Sequence, residues 1–377
     1  MPVQRKRLLD DLLELIRIPS PSLHEVHVAS VIRTKLQEIG LKSEVDDAAQ
    51  AIGGEQGNII ARLPGNVDSP TLMLNAHMDT VTPCENVNPI VEGDYVRSDG
   101  STILGSDDKA GVCIILELLR VLSEDGVMHG PLEIVFTVAE EIGLLGAQHL
   151  DYERLSARVA FVFDGGVPIN RVVIAAPSQK NIKVLVHGRA AHAGVAPEKG
   201  INAIVLASRA IAKMKLGRID EETTANIGIV RGGRATNIVP DLVEVQGEAR
   251  SHSEDKLNAQ IEHMRRLFIE EAERAHGSAE VEVMRKYRAF HVKTDELPAR
   301  VAQLALEKLD MEPKWEKGGG GSDANIFNEH GIRSIIVSSA EQNPHTLSEC
   351  INIIDMERAT QFAIELVRTF AELASHG

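Results

Sequence analysis

Short segments spread along the 377-residue chain carry the side chains that bind cations and move protons. His77 and Asp79 stand two apart, Asp107 and Asp108 are adjacent, and so are Glu140 and Glu141. Asp164 precedes Gly165 and Gly166, His192 lies among small residues, and His345 follows Pro344. Imidazole nitrogens and carboxylate oxygens together make a ligand set for a divalent ion. Adjacent carboxylates raise each other's pKa, so Glu140 and Glu141 are easiest to explain beside positive charge. Successive side chains of an extended segment point to opposite sides, so one glutamate could hold a cation while the other handles a proton. Asp79 returns to the same side as His77 and could orient its ring. Each feature has an ordinary alternative: a solvated Glu-Glu loop, a helix N-cap at Asp107 or Asp108, a surface loop histidine at His192. Taken together, they make chance the poorer account.

The elements around these residues put most of them at one kind of place. Residues 71–75, 134–138, 159–163 and 332–338 are apolar runs that read as buried strands. Each runs into one of the segments at its carboxyl end, where open α/β sheets bind their ligands. Further strands are expected at 41–46 and 58–63, joined by a Gly-rich turn, and 82–104 reads as polar and turn-rich. Apolar spacing predicts helices near 8–16, 112–122, 144–150, 296–309 and 355–373. Ser22-Leu23-His24-Glu25 has the capping-box pattern, predicting a helix from there to Gly40. His24 and His27 read as surface histidines on its first turns.

The character changes from about residue 178 to 290. Strands at 181–187, 224–230, 238–249 and 281–287 alternate there with helices at 203–214 and 255–275, as in an α+β module whose sheet is covered by two helices. The earlier pattern then resumes. The expected fold class is therefore α/β: residues 1–177 and 291–377 form a metal-binding domain with a mixed central sheet flanked by helices. Residues 178–290 form an inserted α+β lid.

Composition narrows the function classes. Single cores rarely outgrow about 250–300 residues, so two domains are expected. A net charge of −15 opposes binding to nucleic acid or an anionic membrane, and 3% aromatic residues leave little for base stacking. Cys84, Cys113 and Cys350 are widely spaced and odd in number, which suits a reducing cytoplasm rather than a disulfide framework. No apolar leader pattern and no span of 18 apolar residues is present in the sequence.

The motifs in order are HMD at 77–79, GSDDKAG at 105–111, AEEIGLLG at 139–146, FDGG at 163–166, HAG at 192–194 and PHT at 344–346. They resemble the zinc metallopeptidase family that includes peptidase T, carboxypeptidase G and acetylornithine deacetylase, over nearly the whole chain. The FDGG and HAG forms are most similar to peptidase T-like members. The resemblance implies a hydrolase with two divalent ions, zinc foremost, with cobalt or manganese able to substitute. By position, His77, Asp107 and Asp164 would hold one ion, and Asp107, Glu141 and His345 the other, with Asp107 shared. Glu140 would be the general base, Asp79 would orient His77, and His192 would polarise the scissile carbonyl, within one chain or across a dimer. Asn237 and Arg250 match positions that grip a substrate carboxylate or backbone, and the glycines at Gly320 and Gly321 would offer N–H groups to the same ligand. The implied substrate is a short peptide, with tripeptide aminopeptidase action foremost. The alternatives are deacylation of an N-acyl amino acid and a non-catalytic metal- or peptide-binding relative, against which the intact Glu140 argues. An unpaired edge of the lid sheet would suit a homodimer.

Overall fold

The computed structural model describes residues 3–374, so residues 1, 2 and 375–377 of the expected catalytic domain lie outside the described residues. The chain divides into two compact units. The first comprises Met1–Ala175, His291–Gly318 and Ser322–Gly377, and the second Ala176–Phe290 with Gly319–Gly321. The sequence boundaries, 178 and 290, assign 319–321 to the first domain, whereas the structure groups these glycines with the insertion. Gly321 lies close against the insertion: a Cβ added there would stand 2.2 Å from Cζ of Tyr287. That ring is buried, and its hydroxyl donates to Gln179 Oε1 at 2.6 Å.

The first unit is built on a mixed sheet. Its strands run in the order Ser43–Val45, Ile59–Leu63, Leu132–Thr137, Leu72–His77, Val159–Gly165, Arg333–Ser338, Arg171–Ala176, Phe290–His291, with Lys314–Lys317 also paired to Arg171–Ala176. Leu72–His77 is parallel to both Leu132–Thr137 and Val159–Gly165, and Val159–Gly165 is parallel to Arg333–Ser338. Antiparallel pairs flank them, at Ile59–Leu63 and at Arg171–Ala176. Every residue of Leu72–His77 and Leu132–Thr137 is buried. That is why these strands read as mostly apolar runs rather than alternating ones. Because the four central strands are mutually parallel, their carboxyl ends emerge at one edge of the sheet.

Helix Ser106–Asp125 packs on Leu72–His77 and Val159–Gly165 and is backed by Arg5–Ile16 and Ile353–Ala374. Its Ile114, Ile115, Leu118 and Leu119 are fully buried, each worth about 1.5–3 kcal/mol. The helix approaches the strand closely at Gly111, where an added Cβ would lie 2.4 Å from the Phe163 carbonyl oxygen. Asp323–Glu329 packs on Val159–Gly165 and Arg333–Ser338.

Three local expectations are corrected. The 82–104 stretch contains strands Ile90–Glu92 and Tyr95–Arg97. These join Cys350–Asn352 and Glu341–Gln342 in a four-stranded antiparallel sheet. Strands of two or three residues are too short to show a period. The link between the first two strands holds a short helix, Ala48–Ile52. The second helix spans Val26–Glu38, with Glu25 at its N-cap and no side-chain capping bond, because Ser22 and Glu25 have other partners.

The second unit carries an antiparallel sheet ordered Gly217–Arg218, Thr223–Gly232, Leu242–Ser251, Ser178–His187, Ser278–Tyr287. Helices Ala203–Lys213 and Glu254–Glu273 cover it, capped by Asn202 and Ser253 side chains. Ile182, Val184 and Val186 alternate into the shared core with Leu206, Met264 and Phe268. The expected class, an α/β catalytic unit with an inserted α+β unit, is therefore borne out. Among the described residues no helix is long and apolar enough to cross a membrane.

Gly111→Ala tests the close approach of helix and sheet. The new methyl meets backbone, which cannot rotate away, so a loss of about 1–3 kcal/mol in unfolding free energy is expected. Denaturant melts giving wild-type stability would show that the helix start has room to move.

Candidate active site

The parallel sheet edge gathers the first set of residues. His77 closes its strand and is buried. Its Nε2 lies 3.2 Å from Asp107 Oδ1. His345 Nε2 lies 3.1 Å from Asp107 Oδ2 and 2.9 Å from Glu141 Oε1. One carboxylate thus faces two imidazoles, one oxygen to each. Donor atoms of His77, Asp107 and Glu141 all fall within 4.8 Å of one another.

Backbone geometry sets Asp107 apart from Asp108. Asp107 and Asp108 leave helical φ/ψ inside the first turn of Ser106–Asp125. Asp108 takes the capping part: Oδ1 accepts from Gly111 N at 3.2 Å and Oδ2 from His77 N at 3.1 Å. Asp107 is left for the cluster. The turn before it is held by Glu349, a residue sequence reading passed over. Its buried carboxylate accepts from Leu104 N, Gly105 N, Ser106 N, Ser106 Oγ and Asp107 N, at 2.6–3.1 Å. His345 and Glu349 share the loop between Glu341–Gln342 and Cys350–Asn352, so the small sheet positions both. Lys109 is buried and donates to Ile18 O at 2.7 Å, with the charges of Glu349 and Asp79 near it.

Asp79 works chiefly on the backbone. Its Oδ1 accepts from Glu140 N at 2.9 Å and its Oδ2 from Glu141 N at 3.2 Å, with the Ser22 hydroxyl donating at 2.6 Å. The His77 ring meets Asp79 mainly through Nδ1 and the Asp79 carbonyl oxygen at 3.0 Å, the carboxylate lying at 3.5 Å. That bond leaves Nε2 of His77 facing Asp107.

Electrostatics identify what the cluster lacks. Burial alone would raise Asp107, but bonds from His345 and His77 hold it well below the ordinary range. His77 is raised against the opposing pull of burial by Asp107 and Asp79, and His345 is pushed up to about 10 by Asp107 and Glu141. Glu140 is buried and driven well upward, foremost by burial; His77 opposes the rise, and Asp164, Glu141 and Asp323 add to it. Burial and the Asp107 charge push Asp164 up to about 7 and Glu341 up to about 8. Burial lifts Asp323 to about 6 despite a bond from Thr137. Protons on two histidines do not balance this many acids. Divalent ions would, and the mixed nitrogen and oxygen donors suit them.

The remaining sequence candidates lie in the second unit. His192 is an exposed ring whose Nδ1 accepts from Gly194 N at 3.2 Å, so its neutral form carries the proton on Nε2. Its loop pairs with that of Asn237 through Ala193 N to Asn237 O at 2.9 Å. Arg250 is forked by Glu248, with Nε to Oε1 at 3.0 Å and Nη2 to Oε2 at 3.1 Å. A Cβ added at Gly320 would lie 3.6 Å from Arg250 Nη1.

Comparison with known proteins fits this geometry. The peptidase family M20/M25/M40 matches residues 73–369. The chain is 40% identical to the uncharacterized protein YqjE of Bacillus subtilis over 370 residues, covering 98% of this chain and 100% of that one. A tripeptidase structure from Staphylococcus aureus shares 38% identity with a TM-score of 0.92, over 98% of this chain and 99% of the other. The aminopeptidase PepT structure from Bacillus cereus shares 39% identity with a TM-score of 0.87 over the same shares.

Glu349→Ala would leave buried N–H groups of the Asp107 turn without an acceptor. Metal affinity measured by titration calorimetry should fall about 10- to 100-fold, with a lower melting temperature. Unchanged affinity would mean that the turn holds Asp107 without its brace.

Proposed function

The chain belongs to peptidase family M20/M25/M40, and from that premise we propose that it is a two-metal aminopeptidase releasing the N-terminal residue of tripeptides. The observation that carries this reading is Asp107, one carboxylate shared by His77 and His345, with the buried Glu140 in the same acidic cluster. The likeness to a tripeptidase and to an aminopeptidase at nearly 40% identity over 98% of the chain supports the substrate class. His77, Asp107 and Asp164 would hold one ion and Asp107, Glu141 and His345 the other. Zinc suits the donors best, with cobalt or manganese as substitutes. Bound ions supply Lewis-acid polarisation and lower the pKa of water.

The chain's own residues do the rest. Glu140 accepts a proton from the attacking water and delivers it to the leaving nitrogen as the amide C–N bond breaks. The products are an amino acid and a dipeptide. Asp79 fixes the N–H groups of Glu140 and Glu141, so base and ligand are oriented by one carboxylate. His192 offers an Nε2–H, the form needed to donate to the carbonyl oxygen as it gains charge.

The test compares Ala-Ala-Ala with its N-acetylated form, for wild type and Glu140→Gln, after chelation and with zinc, cobalt or manganese restored. Cleavage of the free tripeptide alone is expected, lost on chelation, regained with metal, and reduced about 10²- to 10⁴-fold in the variant. Release of acetate from the blocked peptide would instead make the protein a deacylase.

A further inference from the structure

The stretch 18–25, between the first two helices, touches each of three turns that carry the acidic cluster. The Ile18 carbonyl accepts from Lys109 Nζ at 2.7 Å, and the Ser20 carbonyl accepts from Thr80 N at 2.9 Å. Ser22 Oγ donates to Asp79 at 2.6 Å. Glu25 completes the bracket: its Oε1 accepts from Leu23 N and from Ala139 N, both at 2.9 Å. Glu25 is fully buried, as is Ala139.

Ala139 is an unusual neighbour for a catalytic glutamate. Its φ of +52° lies in the left-handed region, which alanine disfavours. Its carbonyl accepts from Leu145 N at 3.0 Å, closing the turn that carries Glu140 and Glu141. The Ala139 N–H points into protein, and Glu25 supplies its acceptor. Without that acceptor a buried donor would be unpaired, and the turn would lose a contact that fixes it in a disfavoured conformation.

We propose that Glu25 is a positioning residue for the reaction: it holds the Ala139 N–H and thereby aims the Glu140 carboxyl at its proton. This rests on the reading of Glu140 as the base. The interaction needs an acceptor oxygen rather than a charge. Burial, then the nearby Asp79 charge, pushes Glu25 up to about 7, and its Oε2 is buried without a hydrogen-bond partner. Glutamine offers the same oxygen, aspartate falls one methylene short, and alanine offers nothing.

Glu25→Ala, Glu25→Gln and Glu25→Asp should be assayed with Glu140→Gln alongside, on Ala-Ala-Ala with zinc, with metal content by atomic emission and melting curves for each. Glu25→Ala should lose about 10- to 100-fold in kcat at nearly constant KM and full metal content, while Glu25→Gln stays within about threefold of wild type. If the alanine variant does not fold, Glu25→Asp carries the test with the same expected loss. Wild-type kcat in folded Glu25→Ala or Glu25→Asp overturns the assignment, as does equal loss in the alanine and glutamine variants, or a loss that follows metal content alone. Full activity in Glu140→Gln would overturn the base itself, a result read independently of Glu25.

Discussion

Carboxylates brought together at one sheet edge repel, and the first unit is arranged around that repulsion. Asp107, Glu140, Glu141 and Asp164 meet there, with Asp323 and Glu341 close enough to raise their neighbours. Burial makes the repulsion worse, because little water remains to screen it. In the structure two histidines and a set of raised pKa values absorb it. Divalent cations would remove it more completely. An affinity for metal would then be the reverse side of an electrostatic strain that the fold imposes on itself, held in place by a sheet in which Leu72–His77 and Leu132–Thr137 are buried throughout.

Such a cluster must be held from outside, and the restraints are backbone bonds to buried carboxylates. Glu349 holds the Asp107 turn, Asp79 holds the Glu140 and Glu141 N–H groups, and Asp108 holds His77 N. Each accepts from N–H groups, which stabilise a buried carboxylate without adding a full positive charge. The same logic separates Asp107 from Asp108: the one paired with backbone braces the turn, and the one paired with imidazoles takes part in the cluster.

Much of this was legible in the sequence because the central strands are strong signals. Their apolar runs end at His77, just before Glu140 and at Asp164, so the strand-end argument located those residues without the fold. The braces were not legible. Glu349 and Asp107 are 242 positions apart, and nothing local to a loop glutamate says which turn it will hold. Ser22 misled for a similar reason, since Ser-x-x-Glu is a good helix start and only the fold brings Asp79 to its hydroxyl. The glycine run was read as an approach to ligand; at Gly321 the Tyr287 ring also leaves no room for a Cβ, a contact 34 positions away that local sequence does not show. The three-residue strands at 90–97 were beyond any periodicity argument.

The dependence of the Asp107 turn on the loop holding His345 and Glu349 has a consequence for biosynthesis. A ribosome delivers the acids at 107, 140, 141 and 164 well before the loop that pairs with them. Until that loop is made, the turn has no Glu349 to accept its N–H groups, and His345 cannot face Asp107 or Glu141. A nascent chain therefore carries these carboxylates without the partners that the folded unit gives them. Translation products that stop short of the loop lack both contacts, so the order of the chain makes the Asp107 turn one of the last parts of the first unit to be braced.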